Sequence, residues 1–291
     1  MEKEIQVRRP SRKKKKFRLG FYIATMFVAI GVVSMIFPYL WMFLTSFKTT
    51  TEAWADPPTF IPTKWLVDAY VGIFKDPNFY KSIWNTLLIE LSVIIVGTFF
   101  STLAAFAFAK IKFKHKKLLL LMLMSSMMVP YAALMLPQYR AFQQLGMTET
   151  LWPLILPGLF GNISMMFFLI TYMKEGIPDS IVESAKIDGA SYIKIFFKIA
   201  LPLAKPAIAA QAIFWFVGIW NDFFGPSIYL TDPSRLTLQV FLNSLLSSNA
   251  SGVELPTLMA GSVLASLPMM IIFFSFQNYF VNSIALSGMK E

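Results

Sequence analysis

Six stretches of the chain are long and apolar enough to cross a lipid bilayer as helices. Such a helix needs about 20 apolar residues. Charged residues make up only 14% of the chain, against about 25% in a soluble domain. The sequence therefore predicts an all-α polytopic membrane protein, with lipid as its main solvent, whose six transmembrane helices cover residues 19–47, 85–109, 118–139, 151–173, 206–230 and 258–280.

Lysine and arginine are shared unequally between the two sets of alternating loops. One set holds 20 of the 26 and the other holds six. The richer set comprises the basic tail 1–18, residues 110–117, residues 174–205 and the C-terminal end. Because cytoplasmic loops carry the excess of positive charge, both termini are predicted in the cytoplasm. The loops 48–84 and 231–257 are then extracytoplasmic. The net charge of +10 follows from this topology, and no nucleic-acid partner is predicted.

Few residues suit catalysis or metal binding. The chain has no cysteine and a single histidine, His115, which lies in a basic run. It lacks the G-x-x-x-x-G-K-[ST] phosphate loop and the H-E-x-x-H zinc pattern. We therefore predict no catalytic residue, no metal site and no cofactor in this chain.

A polar segment at 174–205 separates the fourth and fifth apolar stretches. Ser180 and Glu183 have the spacing of a capping box at the start of a helix, with Asp179 as a competing cap. Gly189 suits the left-handed position that ends such a helix. The first part of this segment is therefore predicted to be a short helix followed by a tight turn.

A second short helix is predicted from Ser191, a suitable N-cap, to Ala200. Pro202 and Pro206 are expected to break it and redirect the chain into the fifth span. The segment 174–205 thus forms a helix–turn–helix along the cytoplasmic face. From spacing alone, an ordinary amphipathic loop resting on lipid headgroups remains an alternative.

This segment resembles the signature loop of ABC importer permease subunits, often written E-A-A-x-x-x-G-x9-I-x-L-P. The spacing agrees throughout, with one departure at Ser184, for the residues Glu183, Ser184, Ala185, Gly189, Ile199, Leu201 and Pro202. The sequences IDGAS at 187–191 and WNDFFGPSIYL at 220–230 are typical of the sugar-importing branch. Over residues 19–288 the chain resembles the maltose-type carbohydrate-uptake permeases.

The resemblance implies a permease domain at 19–288 in the bacterial cytoplasmic membrane that imports a di- or oligosaccharide and does not itself hydrolyse ATP. Its implied partners are a second homologous permease, two ATPase subunits and an extracytoplasmic solute-binding protein reached by the loop 231–257. The second short helix would transmit ATPase closure to the fifth span. The residues implied to dock the ATPase are Glu183, Ser184, Ala185, Asp188, Gly189 and Ala190.

Polar residues inside apolar stretches are costly and often functional. Asn162 lies near the middle of the fourth stretch, and Trp220, Asn221 and Asp222 lie late in the fifth. Amides, carboxylates and aromatic faces suit sugar rings, so these four are candidates for the substrate path. Helix–helix contact for Asn162 and a place at the membrane interface for the other three remain alternatives.

Two further functions stay open: an ABC permease for a non-sugar solute and a self-sufficient secondary transporter. Ion coupling normally needs carboxylates at mid-membrane. Glu90 is predicted in the first turns of the second span, where the helix dipole favours a carboxylate, and Asp222 is predicted near the outer face. Both positions argue against secondary transport.

Overall fold

The computed structural model describes residues 19–247 and 254–288, and every regular element in these ranges is helical. The predicted basic tail 1–18 and residues 248–253 of the predicted loop 231–257 lie outside the described residues. In chain order the helices are α1 (Leu19–Thr45), α2 (Thr50–Ala53), α3 (Asp68–Lys75), α4 (Pro77–Ser92), α5 (Thr98–Lys110), α6 (Lys116–Ser126), α7 (Tyr131–Gln144), α8 (Trp152–Leu159), α9 (Ile163–Gly176), α10 (Asp179–Ile187), α11 (Tyr192–Ile195), α12 (Leu201–Trp220), α13 (Phe224–Tyr229), α14 (Leu238–Ser247) and α15 (Leu255–Gly288).

Five helical segments of the described chain are long and apolar enough to cross a membrane, which confirms five of the predicted spans. They are Gly20–Thr45, Pro77–Lys110, Trp152–Gly176, Tyr192–Trp220 and Leu255–Phe276. The second begins eight residues earlier than predicted. Asp76 caps it by accepting a hydrogen bond from the Asn78 amide at 2.8 Å, and Pro77 is well suited to the first helical position.

The third predicted span is broken. Its two halves, α6 and α7, meet at an angle of 91° across residues 127–130. Pro130 has extended backbone angles and lies directly before α7, in keeping with the restricted φ and missing N–H of proline. The sequence predicts a kink at Pro130 within this span, and the structure has a full break there, so residues 118–139 form two helices rather than one.

Two contacts define opposite ends of the helix bundle. At one end, Lys110 Nζ lies 2.6 Å from the Asp179 carboxylate. At the other, the Glu149 carboxylate accepts hydrogen bonds from the backbone N–H and the hydroxyl of Thr231. The bent pair α6–α7 follows Lys110 and precedes Glu149 along the chain, so it connects the two ends of the bundle. Counted as one span, it brings the number of crossings to six. We call the end with Lys110 and Asp179 the docking-loop end, after the segment with the signature-loop pattern. The end with Glu149 and Thr231 is called the long-loop end.

The fifth span also differs from prediction, because the helix is continuous from Tyr192 to Trp220. A π-helical turn at Phe196–Ala200 joins α11 to α12, and the Leu201 amide bonds to the Phe196 carbonyl. Pro202 lies in the first turn of α12, directly after this wider turn, where the ordinary bonding pattern is already altered. The predicted break at Pro202 and Pro206 is therefore wrong.

The buried apolar residues form two clusters, one near each end. The cluster at the docking-loop end unites α5, α9, α10 and α12 and includes Phe106, Leu169, Val182 and Phe196. The cluster at the long-loop end includes Trp220 and joins α4, α7, α13, α14 and α15. Since Val182 belongs to the first cluster, the short helix α10 is packed directly on the membrane helices.

Candidate functional site

The docking loop, residues 177–191, carries α10 and a sharp turn after it. Gly189 has φ of +80°, the left-handed conformation that the sequence predicts. The Ala190 amide donates to the Ala185 carbonyl at 2.9 Å and closes the turn. Ser191 Oγ accepts a hydrogen bond from the Lys194 amide at 3.2 Å, which confirms it as the cap of α11. The chain therefore passes from α10 through one turn into the unbroken fifth span.

The start of α10 differs from the predicted capping box. The helix begins at Asp179, its N-cap position is Pro178, and no side chain caps it. Ser180 lies inside the helix, so the predicted bond to the Glu183 amide does not form. The Asp179 carboxylate instead accepts a hydrogen bond from Lys110 Nζ at 2.6 Å, which lowers the pKa of that carboxyl. Among the described residues Glu183 has no hydrogen bond or ion pair.

The residues predicted to dock the ATPase form one accessible patch. Val182 of α10 is buried and holds the helix against the bundle, and Ala185 and Ala190 pack partly against the same buried cluster. Small side chains within the patch let another surface approach closely, and the two carboxylates give it negative charge. Four of its residues are exposed and two half-buried: Glu183, Ser184, Asp188 and Gly189, then Ala185 and Ala190.

Asn162 lies near the middle of the fourth span, as predicted, at a break between α8 and α9 that the sequence does not predict. Its Oδ1 accepts a hydrogen bond from the Met165 amide at 2.9 Å and caps α9. Its own amide donates to Ser101 Oγ at 2.7 Å. The side-chain Nδ2 makes no hydrogen bond among the described residues.

The three path candidates in the fifth span lie at its long-loop end but have different surroundings. Trp220 is 2% exposed, and its Nε1 donates to the Ala265 carbonyl at 3.0 Å. Its ring is therefore part of the buried core at this end. Asn221 and Asp222 are exposed; Asn221 Nδ2 donates to the Val217 carbonyl, and the Asp222 carboxylate accepts from the Gly225 amide.

Glu90 lies deeper in the second span than predicted. Because the helix starts at Pro77, Glu90 is about 20 Å along it. Its side chain is fully buried, and neither carboxylate oxygen has a hydrogen-bond partner among the described residues. Ser82 and Thr86 precede it on the same face and are also buried. The predicted place in the first turns is therefore wrong.

A cavity of about 550 Å³ opens at the long-loop end. Its lining comes from both predicted outer loops and includes Lys48, Asp68, Asp76 and Glu254. The carboxylates are not grouped to hold a metal ion, and no such group is found in the part of the chain that the structure describes. The two loops thus line one shared surface that carries both charged and apolar side chains.

Sequence reasoning missed Lys110 and Glu149, which fasten the two ends of the bundle. Lys110 is one of five lysines in the run 110–117, and nothing in its local spacing relates it to Asp179. Glu149 adopts φ of +59°, which is uncommon outside glycine. Its partner Thr231 is 82 residues away, so only the folded chain reveals the contact.

The chain matches the family described as binding-protein-dependent transport system inner membrane component over residues 97–286. It belongs to this family. The matched region of the permease contains the docking loop, the broken fourth span and the continuous fifth span.

Known permeases and one solved structure support this assignment. The chain is 30% identical to the arabinooligosaccharides transport system permease protein AraQ of Halalkalibacterium halodurans, over 94% of this chain and 97% of AraQ. It is 31% identical to the maltodextrin transport system permease protein MdxG of Bacillus subtilis, over 78% of this chain and 81% of MdxG.

A solved bacterial ABC transporter involved in import of the acidic polysaccharide alginate shares the fold. Its TM-score is 0.82 over 92% of this chain and 98% of that chain, at 21% identity. The family match and the two permeases confirm the resemblance to carbohydrate-uptake ABC permeases that the sequence indicates, and the solved structure shows the shared fold.

Proposed function

We propose that this permease forms half of the membrane pathway of an importer for a di- or oligosaccharide. ATPase subunits bound to its docking loop would move it. The observation that carries this proposal is the accessible patch on α10, which leads through the Gly189 turn into the unbroken fifth span. A helix exposed on one side and packed on the other can bind a partner while staying attached to the membrane helices.

The substrate class rests on the similar permeases. AraQ and MdxG are named for arabinooligosaccharides and maltodextrin, and GanQ of Bacillus subtilis, 32% identical, is named for galactooligosaccharides. These sugars share several hexose or pentose units joined by glycosidic bonds. We assign the same class of solute to this permease. Asn162, Asn221 and Asp222 are the path residues in this proposal, while Trp220 supports them from the core.

Energy comes from two ATPase subunits in this proposal, because the chain has no phosphate loop of its own. The carboxylate of Glu183 would face basic groups on an ATPase. A second, homologous permease would complete the pathway. Large apolar side chains along α1, such as Phe27, Val33 and Met35, are exposed in this chain and are available to that subunit or to lipid.

The docking-loop end faces the cytoplasm in this arrangement. The distribution of lysine and arginine supports this orientation. In this orientation both termini lie on the cytoplasmic side of a bacterial membrane. The long-loop end then meets the extracytoplasmic solute-binding protein that the family description implies. The shared cavity beside Asp68, Asp76 and Glu254 is the surface we assign to that contact.

The deeper position of Glu90 removes one argument against ion-coupled secondary transport, because a buried carboxyl group at mid-span is what such coupling uses. Membership of a binding-protein-dependent family favours ATP-driven import. A non-sugar solute is the other competing function, since ABC permeases for other solutes share the signature loop.

Reconstitution tests the proposal. The permease, its partner permease, the ATPases and the binding protein are placed in liposomes, and uptake of labelled oligosaccharides is measured with ATP inside. We expect uptake that requires both ATP and the binding protein. Uptake by the chain alone, driven by an ion gradient, would establish secondary transport; binding of only amino acids or peptides by the binding protein would exclude the sugar assignment.

Glu183→Lys is the variant that tests the docking patch. The exposed side chain makes no hydrogen bond or ion pair among the described residues, so insertion and thermal stability should be unchanged. Repulsion from basic groups of the ATPase should weaken its association at least about tenfold. Glu183→Gln removes the charge without reversing it, so its affinity for the ATPase should lie between those of the wild type and Glu183→Lys. Normal ATPase binding by Glu183→Lys would contradict the docking role.

A further inference from the structure

Lys110, the last residue of α5, binds the start of the docking loop. Its Nζ donates to the Ile177 carbonyl at 2.5 Å and to the Asp179 carboxylate at 2.6 Å. Ile177 directly follows α9, and Asp179 is the first residue of α10. One amine therefore joins the second span to the junction between the fourth span and the docking helix.

In the contact between Lys110 and Asp179, the lysine side chain is buried and the aspartate side chain is exposed. The Lys110 side chain is 2% exposed, whereas that of Asp179 is 78% exposed. A buried ammonium group is costly unless hydrogen bonds and opposite charge compensate it. Both acceptors of Lys110 belong to the docking loop, so displacing the loop would leave the ammonium group buried and unpaired.

Apolar packing continues the connection along α5. Val182 of α10 lies in the same buried cluster as Phe106. The ring of Phe196, in the π turn after the docking loop, lies 5.6 Å from Phe106 and 6.3 Å from Phe99. The second span thus contacts the docking loop before the Gly189 turn and the start of the fifth span after it.

We propose that Lys110 is a positioning residue that couples the docking helix to the second span, so that the ATPases move the second and fifth spans together. This inference rests on the proposed function, because it names the route by which force from the ATPases enters the membrane helices. Without Lys110, α10 would stay covalently joined to the fourth and fifth spans, while its polar attachment to the second would be lost.

Hydrogen exchange of the isolated full-length chain in nanodiscs tests the attachment alone. A hydrogen bond to a charged group contributes enough free energy that its loss should speed amide exchange in residues 179–187 about tenfold in Lys110→Met. Asp179→Asn should increase the exchange rate less, because the hydrogen bond from Lys110 to the Ile177 carbonyl remains. Lys114→Met is the matched control, since Lys114 is exposed in the same basic run and makes no hydrogen bond among the described residues. Unchanged exchange in Lys110→Met would overturn the attachment.

The reconstituted transporter tests the coupling. We expect Lys110→Met to lower the sugar imported per ATP hydrolysed at least about fivefold, the low end of coupling effects between sites. Lys110→Arg should restore much of the ratio by keeping the charge and two donors. Lys114→Met should match the wild type.

Each outcome decides a different point. Faster exchange with an unchanged ratio of uptake to hydrolysis would overturn the positioning role and leave Lys110 a structural residue. If Lys110→Met does not assemble, Asp179→Asn and Lys110→Arg are judged by the same two measurements. A wild type without ATP-dependent uptake would overturn the proposed function, and the exchange measurement would still decide whether Lys110 holds α10.

Discussion

Gly189 holds a backbone conformation that other residues adopt only at a cost. Its φ is +80°, and a Cβ added there would meet no atom within 4 Å. Space therefore does not require glycine at this position, but the backbone angle does. The turn between the docking helix and the fifth span thus depends on a local conformational property of one residue.

Replacing Gly189 with alanine should destabilise the chain by about 1–2 kcal/mol, the cost of the left-handed region for an L-residue. Gly218→Ala is the control, because a Cβ at Gly218 also meets nothing within 4 Å and its φ lies outside the positive range. Thermal unfolding of both variants in detergent measures the difference. Equal melting temperatures would show that the docking turn tolerates another conformation.

Glu149 fastens the long-loop end and makes its stability depend on pH. Hydrogen bonds from the side chain and then the backbone of Thr231 lower the pKa of this carboxyl below its usual value of 4.5. The ionised form is therefore favoured in the folded chain. Its stabilising effect is complete above pH 4.5 and is lost as the pH falls through the lowered value.

The variant Glu149→Gln should remove this dependence. Wild type should unfold at a higher temperature than the variant at pH 6, by a few degrees, and the difference should shrink below pH 4.5. Melting temperatures measured from pH 6 to pH 3 give the comparison. A constant difference over that range would mean that the carboxylate charge does not contribute.

At the scale of elements, the long helices and the bend at Pro130 were predictable, and the other interruptions were not. Five spans follow from hydropathy averaged over about 20 residues, a signal that no single contact can erase. The break at Asn162 depends on Ser101, 61 residues away, which receives the freed amide. Likewise, the helix passes Pro202 because a π turn precedes it, and no local pattern marks that turn.

In the candidate site, too, some features were predictable from the sequence and others were not. The Gly189 turn and the Ser191 cap were predicted because each depends on residues within a few positions. The start of α10 was not, because Asp179 is engaged by Lys110 from another span. Local chemistry thus predicts turns and caps, while contacts between spans decide which alternative cap is used.

The packing of the second span on α8 depends on close backbone approach at Gly97. A Cβ there would lie 2.3 Å from the Gly158 carbonyl oxygen and 2.5 Å from the Trp215 ring. A backbone carbonyl cannot turn aside without separating the helices. We expect Gly97→Ala to cost about 1–3 kcal/mol, as overpacking does in other cores.

Gly31→Ala in α1 is the control for this prediction, because a Cβ at Gly31 meets nothing within 4 Å. Thermal unfolding in nanodiscs compares both variants with the wild type. The control should leave the melting temperature unchanged or raise it slightly, since alanine favours the helix over glycine. Equal effects of the two substitutions would contradict close packing at Gly97.

For the whole molecule, the two ends are fastened by different contacts. Lys110 closes the docking-loop end from inside the bundle, and Glu149 joins two loops at the long-loop end. Between them the broken third and fourth spans interrupt otherwise continuous helices. If ATPases move the docking loop as proposed, we expect that motion to enter mainly through the continuous second and fifth spans.

The orientation of the whole chain can be measured with single cysteines, because the sequence contains none. Ile187 on α10 is 87% exposed and Leu145 after α7 is 64% exposed, at opposite ends of the bundle. The excess of lysine and arginine at the docking-loop end predicts that this end lies in the cytoplasm. In intact cells a membrane-impermeant maleimide should therefore label Leu145→Cys and leave Ile187→Cys unmodified until the membrane is permeabilised. The reverse pattern would place the docking loop outside, where no ATP-hydrolysing partner could reach it.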